Sequence, residues 1–525
     1  MEEIIVKDIL SSPSKNHWEK IGIKKHKGVI IPLFSLKTRN SSGIGEYLDL
    51  LMVIDFLKDV GFNILQLLPL NETSTDFSPY NAISSCALNP IHLSLSKLKG
   101  VNENIKLKEK LKGFDIYNKY SRVNYTQVKR LKMAFLEEYY NFIFEDLKKD
   151  KDYEEFLISH PWLEEYALFR SIQKKENFKH WELWDEKYKN IINLPSLIQE
   201  FQNEMKFYYS IQYLCFSQLS EVKKYADEKN ILIQGDIPIL ISKNSCDVWF
   251  NRQVFNDNLV AGAPPDRVNL YGQKWGFPLY NWEYLKKTDY KFWKKRLSAI
   301  ENIYHMYRID HAVGFFRIWA IKPDKDPMEG EFIPRDPLIW DRDGNERLLM
   351  LLNASKLFPI AEDLGLIPEV VYKTLKKLCI PGIKVIPWEK NIFGIIKFNQ
   401  YEPISVTTVS THDSDTLQQW WEGVPKEANK FAAFKNWSFE RFLTYSQRKE
   451  FLKDSVNTSS IFHINLFQEY LALYPELVNQ DFEDERINIP GTILPTNWTY
   501  KFKPYFEEII NHTKFKNDLI EILTT

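Results

Sequence analysis

Seven short stretches of near-continuous apolar residues recur along the chain, each closing on polar side chains: residues 28–34, 64–70, 231–239, 306–310, 358–362, 382–386 and 404–409. Parallel strands covered on both faces read this way, without the in–out alternation of a strand that has one wet face. Helical spacing fills the intervals. Residues 47–60 place Leu48, Leu51, Met52, Ile54 and Phe56 on a helical repeat and stop before Gly61, a C-cap residue; residues 369–378 follow Pro368. Strand, loop and helix in repetition predict an α/β fold of βα units. Seven strands suit a (β/α)8 TIM barrel better than a doubly wound sheet, and no Gly-x-Gly-x-x-Gly follows the first strand to suggest a dinucleotide site.

A plain barrel needs about 250 residues, whereas the chain has 525. The surplus is expected in insertions to a single catalytic barrel domain spanning 1–525. Residues 71–230, after the second strand, read as a lysine-rich, mostly helical insertion subdomain. Residues 242–302 form a smaller insertion after the third strand, and residues 420–525 a helical part that closes the barrel. No internal repeat, low-complexity tract or flexible linker is visible.

Charge narrows the function. With 69 Lys+Arg against 70 Asp+Glu and a net charge of -1, the chain lacks the basic excess of a nucleic-acid binder, and neutral substrates fit it. No apolar run reaches the roughly 18 residues of a membrane span. The first 20 residues mix charges with apolar side chains, unlike a secretory signal, so a cytoplasmic location is expected. Four scattered cysteines have no metal-ligand spacing and read as reduced, buried thiols. Aromatic residues make up 15%. Tyr and Trp offer flat apolar faces with a polar handle, which suits the C–H faces of sugars.

Catalytic groups of βα barrels sit at the C-terminal ends of strands, and three of the predicted strands end in carboxylates: Asp310, Glu362 and Asp413. Cleaving an acetal needs a proton donor for the leaving oxygen and a carboxylate to meet the oxocarbenium charge. Arg308, two residues before Asp310, points to the same side of its strand and is expected to keep Asp310 ionised, as a nucleophile must be. Glu362 then serves as the general acid, which requires a raised pKa. Gly262, Pro264, Pro265, Gly272 and Gly276 fall close together, predicting a shaped loop and not a helix or strand. Gln273 and Trp275 in that loop suit hydrogen bonding to, and stacking on, a sugar.

Many short motifs then fall in a recognisable order: Ser42-Gly-Ile-Gly45, Leu68-Pro-Leu70, Ser78-Pro-Tyr80, Gly235-Asp-Ile-Pro-Ile239, Asp247-Val-Trp249, Ala261-Gly-Ala-Pro-Pro-Asp266, Gly272-Gln-Lys-Trp-Gly276, Arg308-Ile-Asp-His311, Ala361-Glu-Asp-Leu-Gly365, Thr411-His-Asp413, Asn488-Ile-Pro-Gly-Thr492 and Asn497-Trp498. Through them the chain resembles the 4-alpha-glucanotransferases (amylomaltases, or disproportionating enzymes) from about residue 28 to residue 500. The resemblance implies Asp310 as nucleophile of a retaining double displacement, Glu362 as acid/base and Asp413 as the carboxylate that holds sugar hydroxyls. It implies that Arg308, His311, His412 and Tyr80 line the same subsite, and that Asp266, Gln273 and Trp275 belong to a loop over the cleft. It further implies transfer of α-1,4-glucan segments among malto-oligosaccharides, maltose, glucose or glycogen-type glucans, with no cofactor or metal; an α-amylase-type hydrolase is the alternative. After Asp310-His311 the chain reads Ala312-Val-Gly-Phe-Phe-Arg-Ile-Trp319, similar to the branch that includes plant cytosolic disproportionating enzymes.

Overall fold

The computed structural model describes residues 3–73, 77–265 and 270–524. Eight parallel strands make its centre: β1 His26–Ile30, β2 Ile64–Gln66, β3 Leu232–Pro238, β4 Met306–Asp310, β5 Phe358–Ala361, β6 Gly382–Val385, β7 Ser405–Thr408 and β8 Phe462–Leu466. Their spatial order is β6-β7-β8-β1-β2-β3-β4-β5, the sequence order wrapped into a ring. The ends meet where the Ala361 N–H, at the end of β5, donates to the Pro381 carbonyl just before β6, 2.8 Å away. This is the (β/α)8 barrel.

The first two strands are shorter than their apolar runs because Pro32 and Pro69 carry no N–H for a ladder. In β1, Gly28 pairs with both Ile64 and Ile464. A Cβ there would lie 2.9 Å from Ile64 and 3.0 Å from Ile464, so its missing side chain lets the two isoleucines meet inside the ring. Trp18, on the helix Lys15–Ile21, plugs the N-terminal mouth against Phe358 and Phe462, with ring centroids 4.7 and 5.5 Å away. The other mouth stays open.

Helices Asp49–Val60 and Glu369–Leu378 connect strands as expected, the first ending on Gly61 at φ 100°. Residues 71–230 hold helices including Tyr125–Leu147, Trp162–Lys175 and the 36-residue Leu194–Lys229. Two buried ion pairs tie these helices to residues near the strand ends: Lys132 to Glu46 at 2.6 Å and Arg170 to Glu72 at 3.1 Å.

Two features differ from the sequence reading. The stretch after residue 420 is not helical throughout, because it contains β8. The segment around residues 262–276 is not a plain loop: Phe255–Ala263 and Gln273–Tyr280 pair antiparallel, in a four-stranded sheet with Ile318–Ile321 and Glu331–Ile333. Its glycines serve that pairing. A Cβ on Gly262 would fall 2.1 Å from the Gln273 carbonyl, and Gly276 stands at φ 79°.

Candidate active site

The open mouth leads into one cavity of about 1110 Å³. Tyr80, Gln273, Trp275, Arg308, Asp310, His311, Glu362, His412 and Asp413 all line it. Asp266 lies outside the described residues.

Asp310 ends β4, Glu362 follows β5, and Asp413 stands a short turn past β7. Strand pairing delivers the wall between them. Asp236 of β3 lies beside Arg308 of β4 in register, and the Arg308 Nη1 donates to both Asp236 oxygens at 2.9 and 2.7 Å and to Asp310 Oδ1 at 3.1 Å. The Tyr80 hydroxyl donates to Asp236 Oδ2 at 2.8 Å. Its oxygen therefore accepts from His412 Nε2, 2.9 Å away, and the same nitrogen lies 3.2 Å from Asp413 Oδ2. Asn488 Nδ2 donates to Asp413 Oδ1 at 2.7 Å. A continuous chain of polar contacts thus runs from Asp310 to Asp413.

Glu362 is placed by backbone. His311 takes the left-handed conformation, φ 49°, a strained choice for a residue with a Cβ. Its N–H donates to Glu362 Oε2 at 2.7 Å, while the Leu364 N–H donates to Oε1 at 3.0 Å. The residue after one carboxylate thereby fixes the other. Aromatic rings complete the wall: Tyr80 stacks on His412 at 5.4 Å between centroids, Trp498 leans on Tyr80 at 5.5 Å, and Trp275 meets the His311 ring edge-on at 5.0 Å. The Trp275 Nε1 donates to Gln273 Oε1 at 3.1 Å.

The charges differ sharply. Burial pushes Asp413 up, but His412 and Asn488 outweigh it and hold the carboxyl down at about 2. His412 is raised, since the Asp413 charge overcomes the burial that would neutralise the ring. Burial pulls His311 down to about 4, helped by Arg308. Asp310 corrects an expectation. Arg308 does favour its ionised form, yet burial and the charges of Asp236, Glu362 and Asp413 push it up to about 7. The guanidinium is divided, with both oxygens of Asp236 drawing on it. Glu362 is also raised, by burial, against Arg308 and its two backbone donors. Both carboxyls therefore hold their protons more firmly than free carboxyls do.

Sequence reading assigned no role to Asp236, Asn488 or Trp498, although each lies in one of the quoted motifs. Among the described residues, no group of three or more His, Cys, Asp or Glu side chains is arranged to hold a metal ion.

Comparison with known proteins gives the family. The family described as 4-alpha-glucanotransferase matches residues 31–507. A 4-alpha-glucanotransferase of Chlamydia pneumoniae is 44% identical over 99% of each chain. The rice 4-alpha-glucanotransferase DPE2 is 24% identical over 95% of this chain and 69% of its own. The structure of an amylomaltase from Streptococcus agalactiae in complex with acarbose superposes with a TM-score of 0.80, at 24% identity, over 95% of this chain and 99% of that one. That likeness bears on the fold alone. The chain belongs to the 4-alpha-glucanotransferase family, enzymes that transfer glucan segments by a retaining mechanism.

Proposed function

We propose that Asp310 is the nucleophile and Glu362 the acid/base of this transfer. Asp310 Oδ2, the oxygen that Arg308 does not touch, attacks C1 of the glucose unit at the cleavage point. The C1–O bond breaks as Glu362 gives its proton to the leaving oxygen, and the glucan is held as an ester on Asp310. The 4-hydroxyl of an incoming glucan or glucose then loses its proton to Glu362 and attacks C1, releasing Asp310. Asp413, fully charged beside His412, grips ring hydroxyls and stabilises the positive charge of the transition state. Arg308, His311, His412 and Tyr80 bind the same ring, and Gln273 and Trp275 cover it; Asp266, outside the described residues, is proposed with them.

The observation that carries this reading is the unbroken series Asp310–Arg308–Asp236–Tyr80–His412–Asp413, which joins two of the three carboxylates along one wall of the cavity that Glu362 also lines. The substrates proposed are malto-oligosaccharides, with maltose, glucose or glycogen-type glucans as partners, and the place of action is the cytoplasm. Among the described residues no helix is long and apolar enough to cross a membrane.

Incubation of the purified protein with maltotriose tests it. Transfer gives a ladder of longer oligosaccharides alongside glucose, and Asp310→Asn abolishes the ladder while maltotriose still binds. Shorter sugars alone would make the enzyme a hydrolase.

A further inference from the structure

The cavity has a second guanidinium, and its surroundings differ from those of Arg308. Arg317 lies between the turn Ala312–Phe315 and the strand Ile318–Ile321 and lines the cavity together with Trp319, Phe332 and Leu366. Its guanidinium carbon sits 3.6 Å over the Phe332 ring and 4.7 Å over that of Trp340. Nη2 donates to the Leu366 carbonyl at 3.0 Å, four residues past Glu362. The group is therefore clamped in place.

Among the described residues it has no counter-charge. Arg308 is matched by Asp236 and Asp310, and Asp413 by His412. Among the described residues Arg317 makes no ion pair, and its buried Nε has no hydrogen-bond partner. Burial alone pulls its pKa down, with no carboxylate raising it. A half-buried cation without an anion is costly. The two ring faces offset part of that cost, and an arriving anion would offset more. A guanidinium presents paired N–H groups that fit a phosphate.

We propose that Arg317 forms an anion subsite of this cleft, fitted to the phosphate ester of a glucose unit, so that the enzyme accepts phosphorylated glucose as well as neutral sugar. The inference rests on the transferase reading above. No new bond chemistry is required: the 4-hydroxyl of the sugar phosphate attacks C1, its proton goes to Glu362, and the phosphate ester stays intact against Arg317.

The test offers maltotriose as donor with glucose, glucose 6-phosphate or glucose 1-phosphate as acceptor, the two esters separating the possible phosphate positions. Inorganic phosphate alone serves as a competitor. Phosphorylated oligosaccharides are counted by mass spectrometry in wild type, Arg317→Gln and Arg317→Lys. For at least one ester, wild type gives a lower KM than for glucose. The ratio of the glucose KM to the ester KM drops tenfold or more in Arg317→Gln and is partly restored in Arg317→Lys. Because the ratio is taken within each variant, a general loss of activity or folding cancels. Inorganic phosphate suppresses extension of the ester more than extension of glucose in wild type, and this difference disappears in Arg317→Gln. A normal maltotriose ladder with neither ester extended, or an unchanged ratio in Arg317→Gln, overturns the subsite alone. Absence of any ladder overturns the transferase reading beneath it.

Discussion

Asp413 owes its charge to one neighbour in sequence and one that comes close only in the fold. His412 is adjacent in sequence, but Asn488 arrives from 75 residues away to donate at 2.7 Å. A hydrogen bond to a charged group contributes about 1.5–3 kcal/mol. Asn488→Ala should therefore let the carboxylate swing and lower kcat/KM roughly tenfold or more, with little change in melting temperature. Steady-state kinetics on maltotriose check this, and a value within twofold of wild type would count against Asn488 as a positioning group. The placement of Asp310, Glu362 and Asp413 at one cavity is legible in the sequence, because strand ends converge on one mouth of a barrel. Asp236 and Asn488 are not. Each works through a partner far away along the chain, Arg308 and Asp413 respectively, and neither partnership leaves a local pattern.

At the scale of elements, the loop after β5 decides where Glu362 stands. Asp363, its neighbour, accepts the Ile383 N–H at 2.6 Å and so pins that loop to β6. This works only because residue 382 is glycine: a Cβ there would lie 2.3 Å from Asp363 Oδ2. Gly382→Ala should displace Asp363 and with it Glu362. The expected outcome is a loss of stability of about 1–3 kcal/mol together with a larger loss of kcat than of maltotriose binding, read by thermal melting, steady-state kinetics and calorimetry. Unchanged kcat in a destabilised variant would show that the pin does not reach Glu362. Seven of the eight strands were legible as apolar runs. β8 was not, since His463 and Asn465 interrupt its run. Both are buried, and they bond Tyr470, Ser455 and the Val409 N–H, contacts that only the folded barrel supplies. The pairing of Phe255–Ala263 with Gln273–Tyr280 was hidden for another reason: the glycines that permit its close, bulged register read locally as loop formers.

For the whole molecule, burying Asp310 in the cavity wall works against stability. Burial and the charges of Asp236, Glu362 and Asp413 raise the folded pKa of Asp310 above an unfolded value of about 3.9. Above pH 4 the unfolded chain ionises this group more readily than the folded one. Its presence therefore destabilises the fold increasingly as pH rises above about 4. Asp310→Asn should remove that penalty, raising the melting temperature by more at pH 8 than at pH 5. Equal shifts at the two pH values would mean that the Asp310 carboxyl is not held up by its surroundings. The barrel itself was readable at this scale because repetition is a property of the entire chain. The four-stranded side sheet was not, since it unites the insertion before β4 with the segment after it.

A retaining transfer through Asp310 holds the glucan covalently on that residue between the two steps. The direct measurement is a maltotriosyl fluoride blocked at its terminal 4-hydroxyl, added without acceptor, followed by digestion and peptide mass spectrometry. The account predicts one added glycosyl mass on the peptide containing Asp310, discharged when glucose is added and absent in Asp310→Asn. A stable adduct on a different residue, or brisk transfer to glucose by Asp310→Asn, would contradict it.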